Sequence, residues 1–372
     1  MAADFGKWWN DTKKHRKRLS YWMPHAKAIA TQLLNGRPMR YFTLCARSMI
    51  DVFMFLREGL LRYEPDSYAI GTVHFCEMDA EQFAETLELV GREDSGFLGR
   101  LEDIVLFQDD DFTAQFPTVE SISVKLEDEG FQAQPNLVDL LQLKRSHFHV
   151  KASFPYDYIN LDFCEYYYPH PPGVIRINET IGRILDWQRE TSQDESHISV
   201  DQFILTVTCR HDADFPAEAE ARLVQLVRDN CAKSSAYREE VERTRRVTQV
   251  EKWLEQNRED FFFAGWPKDI ARNAIEYGWA MEILDYVYYR RIGDEGNPYI
   301  ITCIVARFSR AKRSTGYLPA ALHALRSENR KQIPDIDRDS PEGRLLLKDL
   351  GKIVEIRNEQ ALRVSRPLLP AP

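Results

Sequence analysis

Short apolar runs alternate along the chain with longer stretches in which apolar residues recur at helical spacing. The first stretch, to about Leu34, predicts one or two helices. Asn35-Gly36-Arg37-Pro38 reads as a helix stop and turn. Seven runs then read as strands: 40–45, 72–77, 96–101, 156–163, 203–209, 285–291 and 299–308. The third of these ends at Glu102-Asp103. Between them, 49–61, 80–90, 177–189, 216–257 and 267–284 predict helices, with Asp79 placed to cap the second. Residues 137–143 predict a further helix and 147–150 a further strand. The turn Gly293-Asp294-Glu295-Gly296-Asn297 joins the last two strands as an antiparallel hairpin. Strands alternating with helices imply an α/β fold, a mostly parallel sheet covered on both faces. The chain divides into a basic helical extension over 1–36, an α/β domain over 37–310 and a basic, partly loop-like tail over 311–372.

Composition keeps this picture globular. Hydrophobic residues make up 44% of the 372 and charged residues 29%, which excludes a wholly disordered or fibrous chain. No apolar run is long enough to cross a membrane, and the first residues lack the apolar core of a secretory signal. A cytoplasmic protein with no membrane partner is therefore expected. Six cysteines occur without a CxxC pair, and most fall in strand-like runs. They read as small apolar residues of a reduced compartment, and no metal site is expected.

Charge is uneven. The net charge is −9, yet residues 1–40 hold nine Lys/Arg against two Asp/Glu. The basic head (Lys13, Lys14, Arg16, Lys17, Arg18), with Trp8, Trp9, Tyr21 and Trp22 among it, has the composition of a nucleic-acid contact. It equally suits an amphipathic helix whose tryptophans pack on the acidic body.

Ligands of open α/β sheets bind beyond the carboxyl ends of the strands. Three strand ends carry acids there: Glu77, Glu102 with Asp103, and Asp162 two residues after Asn160. A carboxylate such as Glu77 can accept both hydroxyls of a ribose. Asp103 can accept from an exocyclic amine. Asn160 and Asp162 face a pocket that Tyr166, Tyr167 and Tyr168 can wall. Arg210-His211-Asp212 reads either as an acid/base group or as a charged strand exit.

The run Val73-His74-Phe75-Cys76-Glu77-Met78-Asp79-Ala80-Glu81 resembles the second-strand motif of class I S-adenosylmethionine-dependent methyltransferases. That resemblance implies a seven-stranded Rossmann-like sheet ending in a reversed strand, with S-adenosylmethionine as cofactor. It implies that Glu77 and Met78 meet the ribose, and Glu102 and Asp103 the adenine. Cys45 and Ala46 would line the first loop. Asn160-Leu161-Asp162-Phe163 would stand at the methionine end and the acceptor, with Asp162 and Asn160 as catalytic residues. Two departures stand beside it. The family's first loop is glycine-rich, whereas Leu44-Cys45-Ala46-Arg47-Ser48-Met49 has no glycine. Asn-Leu-Asp-Phe also lacks the Pro-Pro-aromatic form of enzymes that methylate DNA amino groups. Three functions follow: methyl transfer to an unidentified acceptor, a non-catalytic descendant that binds a partner or nucleotide, and nucleic-acid binding through the head.

Overall fold

The computed structural model describes residues 11–33, 36–44, 48–64, 67–92, 94–106, 150–168, 177–191, 200–211, 216–292, 298–311 and 317–365. Its main sheet has eight strands rather than the expected seven. They are β1 (Tyr41–Leu44), β2 (Val73–Glu77), β3 (Gly96–Leu98), β4 (Tyr158–Tyr166), β5 (Gln202–His211), β6 (Trp279–Ile292), β7 (Pro298–Arg310) and β8 (Arg330–Gln332). Their order across the sheet is β8-β6-β7-β5-β4-β1-β2-β3. From β5 to β3 all neighbours are parallel. β7 runs antiparallel between β5 and β6, and β8 is parallel on the outer edge of β6. Chain order reverses between β1 and β4, which is where such sheets open a crevice.

Helices cover both faces. On one lie α1 (Thr12–Lys17), a π turn (Arg18–Trp22), α2 (Met23–Ala30), α3 (Ile50–Arg57) and α4 (Ala80–Val90). α12 (Pro341–Val364) packs with them, and Trp22, Ile29, Phe53, Val287, Cys303 and Ile353 belong to this core. The other face carries α5 (Leu101–Leu106), α6 (Ile177–Thr191), α7 (Ala217–Lys233), α8 (Ser235–Arg245), α9 (Val250–Gln256), α10 (Arg258–Glu276) and α11 (Tyr317–Leu325). Its core includes Phe42, Leu161, Phe203, Trp187 and Trp266.

Local chemistry sets the boundaries. The Asp79 side chain accepts from the Gln82 amide at 2.8 Å, starting α4 as expected, and Gly91 ends it at φ +75°. α10 departs from expectation, because Pro267 lies inside the helix and not at its start. A proline there has no N–H for the Phe263 carbonyl. The Tyr286 hydroxyl donates to that oxygen instead, at 2.8 Å. The chain leaves α10 through Gly278 at φ +76°. From Trp279 onward burial has period two, with Trp279, Met281 and Ile283 inside and Glu282 outside, so the last third of the expected helix over 267–284 belongs to β6.

Other expectations shift. β3 stops at Leu98, and Glu102 and Asp103 sit in the first turn of α5 rather than at a strand end. Val150 is helical, while 137–143 and 147–149 lie outside the described residues. The tail, expected to be basic and partly loop-like, holds α11, β8 and α12 among its described residues. No helix among the described residues is long and apolar enough to cross a membrane.

Candidate functional site

The carboxyl ends of β1, β2, β4 and β5 form one rim, and two acidic sites sit on it. The first is at the end of β2. Glu77 is buried, at 9% exposure, and its Oε1 accepts from the Met78 amide at 2.8 Å and the Asp79 amide at 3.0 Å. Burial pushes its carboxyl above the ordinary range, against the pull of the two amides. No donor among the described residues reaches Oε2. Met78 beside it is 72% exposed, a large apolar side chain left in solvent. Glu102 is buried close by: burial first, then the charges of Glu102 and Glu77, push the Cys76 thiol up. Cys45 and Ala46, and the side chain of Asp103, lie outside the described residues. The turn out of the glycine-free loop is described at Met49, which is buried with φ 44° and ψ 34°. A left-handed methionine costs about 1 kcal/mol relative to glycine.

The second site lies on the face covered by α1–α3. β4 alternates Tyr158, Asn160 and Asp162 onto that face. In register, Thr43 faces Asn160, Asn160 faces Thr206, and Asp162 faces Thr208. The result is a buried polar row across three strands. Asp51, from the first turn of α3, roofs its inner end. Its Oδ2 accepts from Thr43 Oγ1 at 2.9 Å, Asn160 Nδ2 at 3.2 Å and the Tyr41 hydroxyl. Asn160 also donates to Thr43 Oγ1 at 3.2 Å, so it holds β1 and α3 together. At 2% exposure it does not open onto the rim.

Asp162 closes the outer end, with 17% of its side chain exposed. Lys17 Nζ lies 3.6 Å from Asp162 Oδ2 and donates to Thr208 Oγ1 at 3.1 Å, 4.5 Å from the centre of the Trp22 ring. Burial alone would raise the Asp162 carboxyl. The cations of Lys17, Lys14 and Arg18 outweigh it and hold the group below its usual range. The same burial lowers Lys17, which Asp162 partly offsets.

The basic head is thus turned onto the body. Lys13 pairs with Asp335, His15 with Asp349 at 2.9 Å, and Arg16 with Glu342. The tyrosines after β4 are packed rather than open. Tyr167 and Tyr168 are buried, and the Tyr168 hydroxyl donates to Asp269, which Arg222 also holds at 3.0 Å. His211 is 3% exposed, stacked 3.9 Å from Phe262, and burial lowers it to about 3. It is neutral near pH 7 and is no proton donor there; Asp212 lies outside the described residues.

The structure therefore brings Glu77 and Glu102 together around Cys76, and places Asn160 and Asp162 in a separate row beneath α1 and α3. Sequence reasoning missed Asp51, and it named Lys17 only as one of the basic head, not as the partner of Asp162. The one acid within the otherwise apolar first turns of α3 was the available signal for Asp51. No family model, no curated protein and no solved structure matches the chain.

Proposed function

We propose that the chain is a class I S-adenosylmethionine-dependent methyltransferase-like protein, that Glu77 holds the cofactor ribose, and that Asp162 faces the methyl acceptor. The carrying observation is Glu77 at the carboxyl end of β2, beside the reversal of strand order, in a sheet where, among the described residues, β7 alone runs against its neighbours. The residues fit the group on two counts. Glu77 Oε2 accepts from no donor among the described residues, and Met78 offers an apolar surface beside it. Glu102 and Asp103 on α5 would stand toward the base, with Cys45 and Ala46 in the first loop.

S-adenosylmethionine supplies an already electrophilic methyl group, so the protein's part is alignment and proton acceptance. Glu77 is fixed by the Met78 and Asp79 amides, so its second oxygen is oriented before any ligand arrives. Asn160 fixes β4 against Asp51 and so positions Asp162 two residues on. Asp162, anionic, is suited to orient an acceptor and take its proton.

Calorimetry with S-adenosylmethionine or its demethylated product tests this. Wild-type protein binds, and Glu77→Ala weakens binding by about 10–100-fold, the loss of hydrogen bonds to a charged acceptor. Absence of binding by wild-type protein at saturating ligand removes the reading. A second reading, a non-catalytic binder on the same sheet, is favoured by Lys17, which already engages Asp162. Cofactor binding without transfer to any acceptor, even with Lys17 displaced, is its signature.

A further inference from the structure

The N-terminal helical segment is attached by two different chemistries. Residues 11–17 are held by polar groups. Asp11 pairs with Arg291 at 3.3 Å, and the Thr12 hydroxyl donates to the Ile336 carbonyl at 3.2 Å. Lys13 donates to the Arg290 carbonyl at 2.9 Å and pairs with Asp335, which is 89% exposed. His15 and Arg16 reach Asp349 and Glu342. Residues 22–30 are instead core: Trp22, Met23, Ala26 and Ile29 are buried. The π turn at Arg18–Trp22 separates the two halves, with the Met23 amide reaching back to the Arg18 carbonyl.

Exposed ion pairs add little in water and are screened by salt. The closed state also carries unmet polar atoms. Arg18 Nε, Arg18 Nη1 and His15 Nδ1 are buried without a hydrogen-bond partner. Thr12, His15 and Lys17 are buried too, but through polar contacts and beside these unmet atoms, so residues 11–17 are the more weakly held half. Their innermost contribution is the Lys17 ammonium, at the rim beside Asp162. If they detach, the carboxylate of Asp162, the hydroxyl of Thr208 and the face of Trp22 stay behind. Trp22 belongs to the apolar half. A carboxylate, a hydroxyl acceptor and an aromatic face together suit an ammonium group.

We propose that residues 11–17 form a strap hinged at the π turn, and that the acceptor it keeps out is a primary amine on an aliphatic stem, whose nitrogen takes the place of Lys17 Nζ against Asp162, Thr208 and Trp22. The amine rests on the reading that Asp162 faces the acceptor; the strap does not.

The test uses the full chain with Asp335→Asn, Glu342→Gln and Asp349→Asn, three tethers outside both acidic sites. Amines are acetylated with an N-hydroxysuccinimide ester and read by peptide mass spectrometry. Lys27, half exposed, serves as internal standard. In wild-type protein Lys17 reacts far more slowly than Lys27. In the variant Lys17 labelling and amide exchange of 12–17 rise about 10-fold or more, while exchange of 23–30 is unchanged and reports an intact fold. Raising salt on wild-type protein moves both readouts the same way. Lys17 that labels like Lys27 in wild type, or stays protected in both the variant and high salt, overturns the strap. The amine is probed with Nα-acetyl-lysine methylamide against its norleucine counterpart. The opened variant binds the lysine form alone, and Asp162→Asn abolishes that binding. Equal binding of both, or of neither, overturns the amine. An opened variant that binds the amine but no S-adenosylmethionine sinks the methyltransferase reading, and with it the acceptor role, and leaves the strap and an amine-binding site standing.

Discussion

The two faces of the sheet solve burial in opposite ways. Under α6–α11 the strands contribute Phe42, Ile159, Leu161, Phe163, Phe203, Leu205, Val207 and Cys209, a nearly unbroken apolar surface. Under α1–α3 the same strands contribute Thr43, Asn160, Asp162, Thr206 and Thr208, all of which need partners. Asp51 and Lys17 supply them from the covering helices for all but Thr206, which bonds the Tyr158 hydroxyl at 2.8 Å. The apolar face tolerates any roof of the right volume, whereas the polar face dictates which helix covers it and in what rotation.

Acid should separate the faces most strongly. His74 and His211, among the aromatic side chains, are lowered by burial to about 3, and His15, under the polar row, to about 4 by burial and then by Arg18. Each folded value lies below the unfolded 6.5, so the unfolded chain binds the extra protons. Stability is full above pH 6.5 and is lost as pH falls toward 4. The slope is about 1.4 kcal/mol per pH unit for each histidine. Urea melts between pH 7 and 4.5 measure it. His211→Phe flattens the slope by one histidine's share, and an unchanged slope would show that His211 is already protonated in the fold.

Next in size are two deletions that cost alike for different reasons. Leu161→Ala leaves a cavity on the apolar face and destabilises by about 3 kcal/mol. Asp51→Ala strands Tyr41, Thr43 and Asn160 and also destabilises by about 3 kcal/mol. Refilling by shape rescues only the first: Leu161→Met recovers most of the loss, whereas Asp51→Leu does not. Equal recovery in denaturant melts would erase the contrast between the faces.

The ion pair at the rim gives a smaller effect. Asp162→Ala leaves a buried ammonium and costs about 2 kcal/mol, and adding Lys17→Met to it returns most of that. Strictly additive losses in the double-mutant cycle would mean that the pair is not coupled. Smallest is Met49→Gly, which relieves about 1 kcal/mol of backbone strain but gives up a buried side chain worth somewhat more, a net loss of about 1 kcal/mol. A gain in thermal stability would show that Met49 packs poorly.

How much of this was legible depends on whether the cause was local. Asp79 and the period of the residues after it are local signals, and α4 runs as they predict. The apolar, β-branched run of β5 is another. Pro267 misled because its cost is offset at a distance, by a tyrosine on the next strand. Glu102 and Asp103 misled because Gly99, at φ 131°, breaks the strand before them. Of the candidate site, the position of Glu77 at the end of β2 was readable from the chain. The seating of Lys17 was not, since its partners Asp162 and Thr208 lie far along the sequence and a run of basic residues looks the same whether it faces water or a carboxylate.

The polar contacts of α1 reach across more than three hundred positions, as from His15 to Asp349. A ribosome therefore releases this segment long before its anchors exist. Residues 11–17 must wait, unseated, through the synthesis of the whole sheet, so this segment closes only after the strands it covers have been made.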